Sequence, residues 1–316
     1  MNYFSEFIDQ GAERIVDRVV WVNDAPIGLL RPSTVWGCDL DKLPIIYGPR
    51  CIAKAKTRSR DDFWQAMVES GAILFGARED ILHAKKFLEI DRLSRTASYL
   101  MAGAKNCRNF IDQISSIEKG RVLIIGCGGI GSLAALNLAG AGVNELLLVD
   151  GDFIESSNLN RQFMWSLADL GRKKVSVLRE RIADRYPQVV CNTMAEFVGE
   201  DQLVDLAEPY DIVILTADNP LGLGRTLRFS GATKIIEGGY VNQYLAVSKS
   251  LFARNNEPTV SWQRSPGFIG PSFGPSNTEI AGMVASLALQ SMGGGIDRDF
   301  ELDTIWNSND FPRKPL

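Results

Sequence analysis

The sequence predicts an α/β chain: a doubly wound parallel sheet preceded by a smaller α+β domain. Three observations carry that prediction. From Arg121 onward, short apolar runs alternate with helical patterns, as parallel strands covered on both faces require. The first run, RVLIIG, enters Gly126-Cys127-Gly128-Gly129-Ile130-Gly131, a spacing that turns a strand into a helix. The first hundred residues lack this alternation and mix β-branched runs with helical stretches. At 316 residues the chain is long enough for two domains.

The elements are taken in chain order. RIVDRVVWV reads as a strand, broken at Asp24-Ala25-Pro26, and Pro32 and Pro44 punctuate the next stretch. DDFWQAMVESG reads as a helix with Asp61 or Asp62 as N-cap and Gly71 as the stop. Arg78 to Met101 reads as one longer helix, with Ile81, Ala84, Leu88, Leu93, Ala97 and Leu100 at helical spacing. Residues 1–102 form the expected first domain. Gly103 to Gly120 shows no clear period, so 103–120 is expected to be a linker. Residues 121–316 form the second domain. Its strands are RVLIIG, ELLLVD, DIVILT and TKIIEGG. Asp169 to Tyr186 is an amphipathic helix ended by Pro187, and Glu279 to Met292 is a helix apolar nearly all round.

Composition excludes several functions. Lys+Arg is 34 and Asp+Glu 38, a net charge of −4, which argues against a nucleic-acid binder. His83 is the single histidine, so a His-based triad, a facial triad or an HExxH zinc site would have to use that residue alone or cannot exist. The five cysteines include no C-x-x-C pair, and their number suits no complete disulfide framework. Val122 to Val143 carries no charge, but its glycines fit a strand, a turn and a buried helix better than a membrane span. The opening MNYFSEFIDQ has neither the basic nor the apolar region of a signal peptide. A cytoplasmic protein with no membrane partner is expected.

The glycine loop lets backbone N–H groups approach a phosphate at a helix N-terminus, and Asp150, closing the next strand, is placed to hold a ribose. Those features leave NAD, FAD and ATP open. The residues beyond them favour ATP. Asp150-Gly151-Asp152 is followed by Ser157-Asn158-Leu159-Asn160-Arg161-Gln162, then Gly171-Arg172-Lys173-Lys174, then Thr216-Ala217-Asp218-Asn219. A dehydrogenase needs no such succession of Arg, Lys and a second carboxylate. A triphosphate with Mg²⁺ does.

In this order GCGGIG, VDGD, SNLNRQ, GRKK and ADN resemble the adenylating domain of the ThiF/MoeB superfamily, over about Arg121 to Trp306. The resemblance implies a Rossmann-like adenylation domain, normally in a homodimer, that joins ATP to a carboxylate and releases pyrophosphate. It implies roles position by position. Gly126, Gly128, Gly129 and Gly131 form the nucleotide loop, and Asp150 holds the ribose. Asn160, Arg161 and Lys174 face the triphosphate. Asp218 holds Mg²⁺, with Asp152 as an additional ligand. Arg161, Lys174 and Asp218 are the catalytic candidates. The plain alternatives are solvated helix-end charges for Arg161 and Lys174 and an N-cap for Asp218. The last cysteine is Cys191, so neither the thioester cysteine nor the zinc pairs of many members is expected; Cys127 is read as structural.

Within the superfamily the chain looks most like the peptide-modifying branch that includes MccB and PaaA, through Ile236 to Asn242 and Pro271 to Asn277. That branch implies a winged-helix-like first domain that binds the leader of a ribosomally made precursor peptide. It implies adenylation of a glutamate carboxylate followed by cyclisation, as in pantocin biosynthesis. The alternatives are MccB-like adenylation of a peptide C-terminus, ThiF/MoeB-like adenylation of a sulfur-carrier protein, and a non-catalytic nucleotide-binding subunit. Arg50, Lys54, Lys56, Arg58 and Arg60 run without an acid among them, and the last four would share one face of a strand that an acidic leader could extend. The alternative is a charge-protected edge strand. His83 is given no function.

Overall fold

The computed structural model describes residues 4–9, 11–217, 234–250, 265–296 and 300–307. The chain divides into two compact units, Met1–Ser115 and Ser116–Leu316.

The first unit opens with α1 (Ser5–Ile8), β1 (Glu13–Val16), β2 (Val19–Val22) and β3 (Ala25–Leu30). RIVDRVVWV is therefore two strands, not one. Asp17 and Arg18 (φ 49° and 66°) and then Asn23 and Asp24 (φ 47° and 64°) adopt left-handed backbone, which makes two tight hairpins. Pro26 lies inside β3, which does not end the sheet. The strands β4 (Val35–Cys38), β5 (Pro44–Tyr47) and β6 (Ile52–Lys54) form a separate antiparallel sheet. Then come α2 (Arg60–Glu69), β7 (Ile73–Phe75), α3 (Arg78–Glu89), α4 (Ser94–Gly103) and α5 (Cys107–Lys119). β7 pairs with β3, giving the order β1-β2-β3-β7.

Several expectations are corrected here. The cap of α2 is Ser59, whose side chain accepts from the Asp62 amide, and neither aspartate caps it. The helix expected over Arg78 to Met101 is two, because the chain leaves helical backbone at Ile90 (ψ 102°). The expected linker is mostly helix: Cys107, Phe110, Ile111, Ile114 and Ile117 are buried along one side of α5. That spacing is helical, but the intervening Asn, Asp and Ser residues obscured it. The unit boundary falls within α5. The basic run does not lie along a strand, since β6 ends at Lys54. Lys54 pairs with Asp39, Arg58 with Glu6 and Arg60 with Glu13.

The second unit holds β8 (Arg121–Ile125), α6 (Gly131–Ala141), β9 (Glu145–Val149), α7 (Lys174–Arg185), β10 (Val190–Met194), α8 (Glu200–Ala207), β11 (Ile212–Leu215), β12 (Lys234–Val241), β13 (Tyr244–Ser250), α9 (Gly274–Gly293) and β14 (Leu302–Asn307). Its sheet runs β10-β9-β8-β11-β12-β13-β14. The first five strands are parallel, and β13 and β14 close the edge antiparallel. This is the doubly wound, Rossmann-like architecture, whose order reverses at β8. Leu123, Ile125, Leu147, Val149, Val213 and Leu215 pack with Leu203 and Ala207 of α8. The uncharged run from Val122 is strand, turn and the buried 11-residue α6. Among the described residues no helix is long and apolar enough to cross a membrane.

Candidate functional site

The site forms outside the carboxyl ends of β8, β9 and β11, at the switch point where ligands of open α/β sheets bind. Backbone conformation and close packing shape its glycine loop. Gly126 sits at φ +88°, and a Cβ there would lie 2.5 Å from the Ala217 amide nitrogen. Gly131 admits no side chain, because a Cβ would fall 1.9 Å from the Gly126 carbonyl oxygen, where α6 crosses the end of β8. Gly128 is different: a Cβ would meet only Gln162 Nε2, at 3.7 Å. The first and third glycines are thus fixed by turn and packing, and the second by neither. The Thr216 hydroxyl donates to the Gly126 carbonyl (2.7 Å), tying β11 to the loop. No side chain caps α6, and although the Ser132 amide donates to the Gly128 carbonyl (3.1 Å), the amides of Gly131 and Leu133 on either side of it are left to an anion.

Asp150, directly after β9, braces this loop. One carboxylate oxygen accepts from the Cys127 amide (2.7 Å) and the other from the Asp152 amide (2.8 Å). Each retains lone pairs for a further donor such as a ribose hydroxyl. Cys127 is wholly buried. Burial, and then Asp150, push its thiol well above the ordinary range, so it is a packed neutral group and not a nucleophile.

Lys174 opens α7. It is 5% exposed, and its ammonium sits 2.7 Å from the Asp152 carboxylate, whose side chain is half exposed. Lys173, the residue before the helix, donates to the Gly151 carbonyl (2.6 Å) and lies over the Phe153 ring. The two lysines therefore clasp the Asp150-Gly151-Asp152 turn. The helix was expected to start at Asp169, but Asp169 ends a separate helical turn over Leu167–Asp169. It is buried, accepts from the Ser166 amide and hydroxyl, and pairs with Arg172 and Arg181.

Across the loop lies the 155–165 turn. Asn158 is buried and closes a capping box with Glu155. Asn160 is exposed and accepts from Arg161 (3.0 Å), and Arg161 also donates to the Ser157 carbonyl. Gln162 is buried and accepts from the Trp165 indole N–H (2.7 Å), so it braces the turn. Asn277, in the first turn of α9, is buried with its amide against Gly129: a Cβ on Gly129 would lie 2.2 Å from Asn277 Nδ2. Sequence reading gave Lys173 and Asn277 no role. Lys173 was legible only as the neighbour of Lys174, and Asn277 lies nearly 150 residues from the loop it touches.

The structure thus brings Gly126, Gly128, Gly129, Gly131, Asp150, Asp152 and Lys174 to one strand-end cluster. The Asn160–Arg161 turn adjoins it through the Arg161 carbonyl, 3.2 Å from where a Gly129 Cβ would stand. Asp218 lies outside the described residues. Among the described residues no group of three or more His, Cys, Asp or Glu side chains could hold a metal ion. The Asp152 carboxylate lies beside the Lys174 ammonium, and its donor chemistry fits a hard cation.

The chain is similar to known proteins in sequence and in fold. The model of the ThiF family matches residues 106–308. The sulfur carrier protein ThiS adenylyltransferase of Escherichia coli K12 is 29% identical over 184 residues, covering 53% of this chain and 72% of that protein. The adenylyltransferase and sulfurtransferase uba4 of Aspergillus niger is 38% identical over 104 residues, covering 33% of this chain. The chain spans only 22% of that relative's length. Among solved structures, E. coli MccB with AMPCPP and MccA superposes with a TM-score of 0.62 at 21% identity, covering 79% of each chain. PaaA superposes with a TM-score of 0.60 at 20% identity, covering 88% of this chain and 96% of its own. At these identities the two structures speak for the fold.

Proposed function

Because the chain belongs to the ThiF family, we propose that it uses ATP to adenylate a carboxylate of a precursor peptide held through a leader segment. The observation that carries the reading is the cluster at the carboxyl ends of β8 and β9. There an uncapped helix N-terminus, the braced Asp150 and the buried Lys174 converge.

In this reading Gly128 and Gly129 present backbone N–H groups to the phosphates, and Asp150 accepts from the ribose. Lys174 and Arg161 offset the charge that grows on the α-phosphate and the departing pyrophosphate. The peptide carboxylate oxygen bonds to the α-phosphorus, and the bond to the bridging oxygen breaks with release of pyrophosphate. A nucleophile of the peptide then takes the acyl carbon, and AMP leaves. Mg²⁺, when bound, neutralises phosphate charge; Asp218 and Asp152 are the residues that would hold it. Lys174 and Asp152 hold each other in register, so the lysine is pre-positioned and loses little freedom when phosphate arrives. The finer step, activation of a glutamate and its cyclisation, belongs to the same proposal, as does a homodimer.

The peptide reading is supported by the separate first unit of about 115 residues and by the coverage that MccB and PaaA share with the chain. The match to ThiS adenylyltransferase supports a second reading, adenylation of a sulfur carrier's C-terminus. Pyrophosphate exchange into ATP separates them. A short acidic-leader peptide with adjacent glutamates should drive exchange, and a sulfur-carrier protein should not. Exchange driven by the carrier alone would favour the second reading. Exchange with neither, across a panel of both, would count against adenylation of either class.

A further inference from the structure

The first unit holds a buried cation without an anion. Arg31, directly after β3, is 4% exposed. One of its nitrogens, Nη2, donates to the Ala104 carbonyl (2.9 Å). Its Nε and Nη1 are buried and donate to nothing among the described residues. The same turn holds a second unsatisfied group, the Thr34 hydroxyl, in a residue whose amide donates to the Arg31 carbonyl (3.0 Å). No ion pair involves Arg31 among the described residues. The Arg31 amide donates to the Ala72 carbonyl (2.8 Å), and Arg50 holds the same turn, with its amide on the Ser70 carbonyl (3.0 Å) and its stem against Gly71; burial first, then Arg50, lower the pKa of Arg31.

Buried guanidinium groups are normally paired, because an isolated charge in a low-dielectric interior costs several kcal/mol. Two arginines anchored on one turn without an acidic partner suit an anionic guest.

Arg50 points to the kind of guest. It lies in the turn between β5 and β6, with its backbone amide on the Ser70 carbonyl and its side-chain stem against Gly71. Lys54, Arg58 and Arg60 of the same basic run are neutralised within the chain, whereas Arg50 is exposed and has no acidic partner among the described residues. Tyr47 and Ile52, on either side of that turn, pair across the strands, and Val35 pairs with Tyr47. All three are more than half exposed and form an apolar row across the outer face of the small sheet, beside the turn that carries Arg50. A surface with an apolar row and a cation on the adjoining turn complements a peptide that carries both apolar and acidic side chains.

We propose that Arg31 and Arg50 form an oxyanion site that receives a carboxylate side chain of a bound peptide, with the Val35–Tyr47–Ile52 row seating the apolar residues beside it. The choice of a peptide as source of the carboxylate rests on the reading under Proposed function; the oxyanion site itself does not.

The test compares two fluorescein-labelled decapeptides on the full chain, one alternating Glu and Leu and one alternating Gln and Leu, by anisotropy. Sodium phosphate and sodium chloride at matched ionic strength are run by thermal shift. The Glu peptide should bind about tenfold or more tightly than the Gln peptide, and Arg50→Gln and Arg31→Met should each remove most of that difference. Without ligand, Arg31→Met should melt at the wild-type temperature or above it, since an uncompensated buried charge is gone. Equal binding of both peptides to wild type with no stabilisation by phosphate, or an unchanged preference in Arg31→Met, overturns the proposal. Stabilisation by phosphate with no Glu-peptide preference overturns the peptide source and leaves a free oxyanion in its place. If Arg31→Met does not fold, the exposed Arg50→Gln decides alone. ATP titration of the same samples separates the two readings, because loss of the peptide preference with ATP binding intact counts only against this site.

Discussion

Replacing Gly128 with Ala tests whether the loop after β8 is built to receive a phosphate. Gly128 does not have positive φ, so alanine adopts its backbone without strain. An added Cβ would meet nothing closer than Gln162 Nε2 at 3.7 Å, an ordinary contact. The variant should therefore fold with a stability within about 1 kcal/mol of wild type. In the nucleotide reading the same methyl stands between the backbone and a phosphate, and one charge-assisted hydrogen bond is worth about 1.5–3 kcal/mol. ATP affinity should fall about tenfold or more. Gly131→Ala is the contrasting control. Its Cβ would lie 1.9 Å from the Gly126 carbonyl oxygen and 2.6 Å from the Thr216 hydroxyl, neither of which has room to yield. It should lose about 3 kcal/mol or more of stability. Urea denaturation and ATP calorimetry on both variants read the two effects separately. A folded Gly128→Ala protein that binds ATP as tightly as wild type would refute the reasoning.

Further expectations rest on the same geometry. Lys174→Ala should leave a folded protein, since its partner Asp152 is half exposed, and lower kcat/KM for pyrophosphate release by about 10²–10³; release at the wild-type rate would remove Lys174 from the mechanism. Asp169→Ala should destabilise the chain by about 2–4 kcal/mol, because it strips Ser166, Arg172 and Arg181 of a buried acceptor, measured by denaturant unfolding. Burial would raise the Asp169 pKa, but the Ser166 amide and hydroxyl with Arg181 outweigh it and hold the pKa below its ordinary value. Its contribution is then fully present above about pH 4 and disappears as pH falls through the lowered folded value. An acid-unfolding midpoint that does not move in Asp169→Asn would contradict this. Iodoacetamide at neutral pH should label the exposed Cys38 and Cys51 and spare Cys107, whose thiol burial raises to about 11, and Cys127. Mass spectrometry after digestion reports which are modified.

The second unit was legible because its signals are local. RVLIIG, the glycine loop, Asp150 and Lys174 each sit where a strand ends or a helix begins, and the parallel strands are unbroken apolar runs. The first unit was read less well because its turns lack the usual residues. Asp17-Arg18 forms a hairpin turn that ordinarily takes Asn-Gly or Asp-Gly, so one run of β-branched residues passed for one strand. α5 was missed because polar residues interrupt its apolar side. Within the site, the carboxylates and lysines announced themselves, but Asn277 reaches Gly129 only through the fold. Nothing near Arg31 in the sequence signals that its guanidinium is buried without an acid.

The nucleotide held by the strand-end cluster decides the function most directly. Calorimetric titration of the wild-type chain with ATP in the presence of Mg²⁺, and separately with NAD, identifies it. Saturable heat from ATP, lost in Gly128→Ala, with none from NAD, is the predicted result. Saturation by NAD with no response to ATP would contradict it.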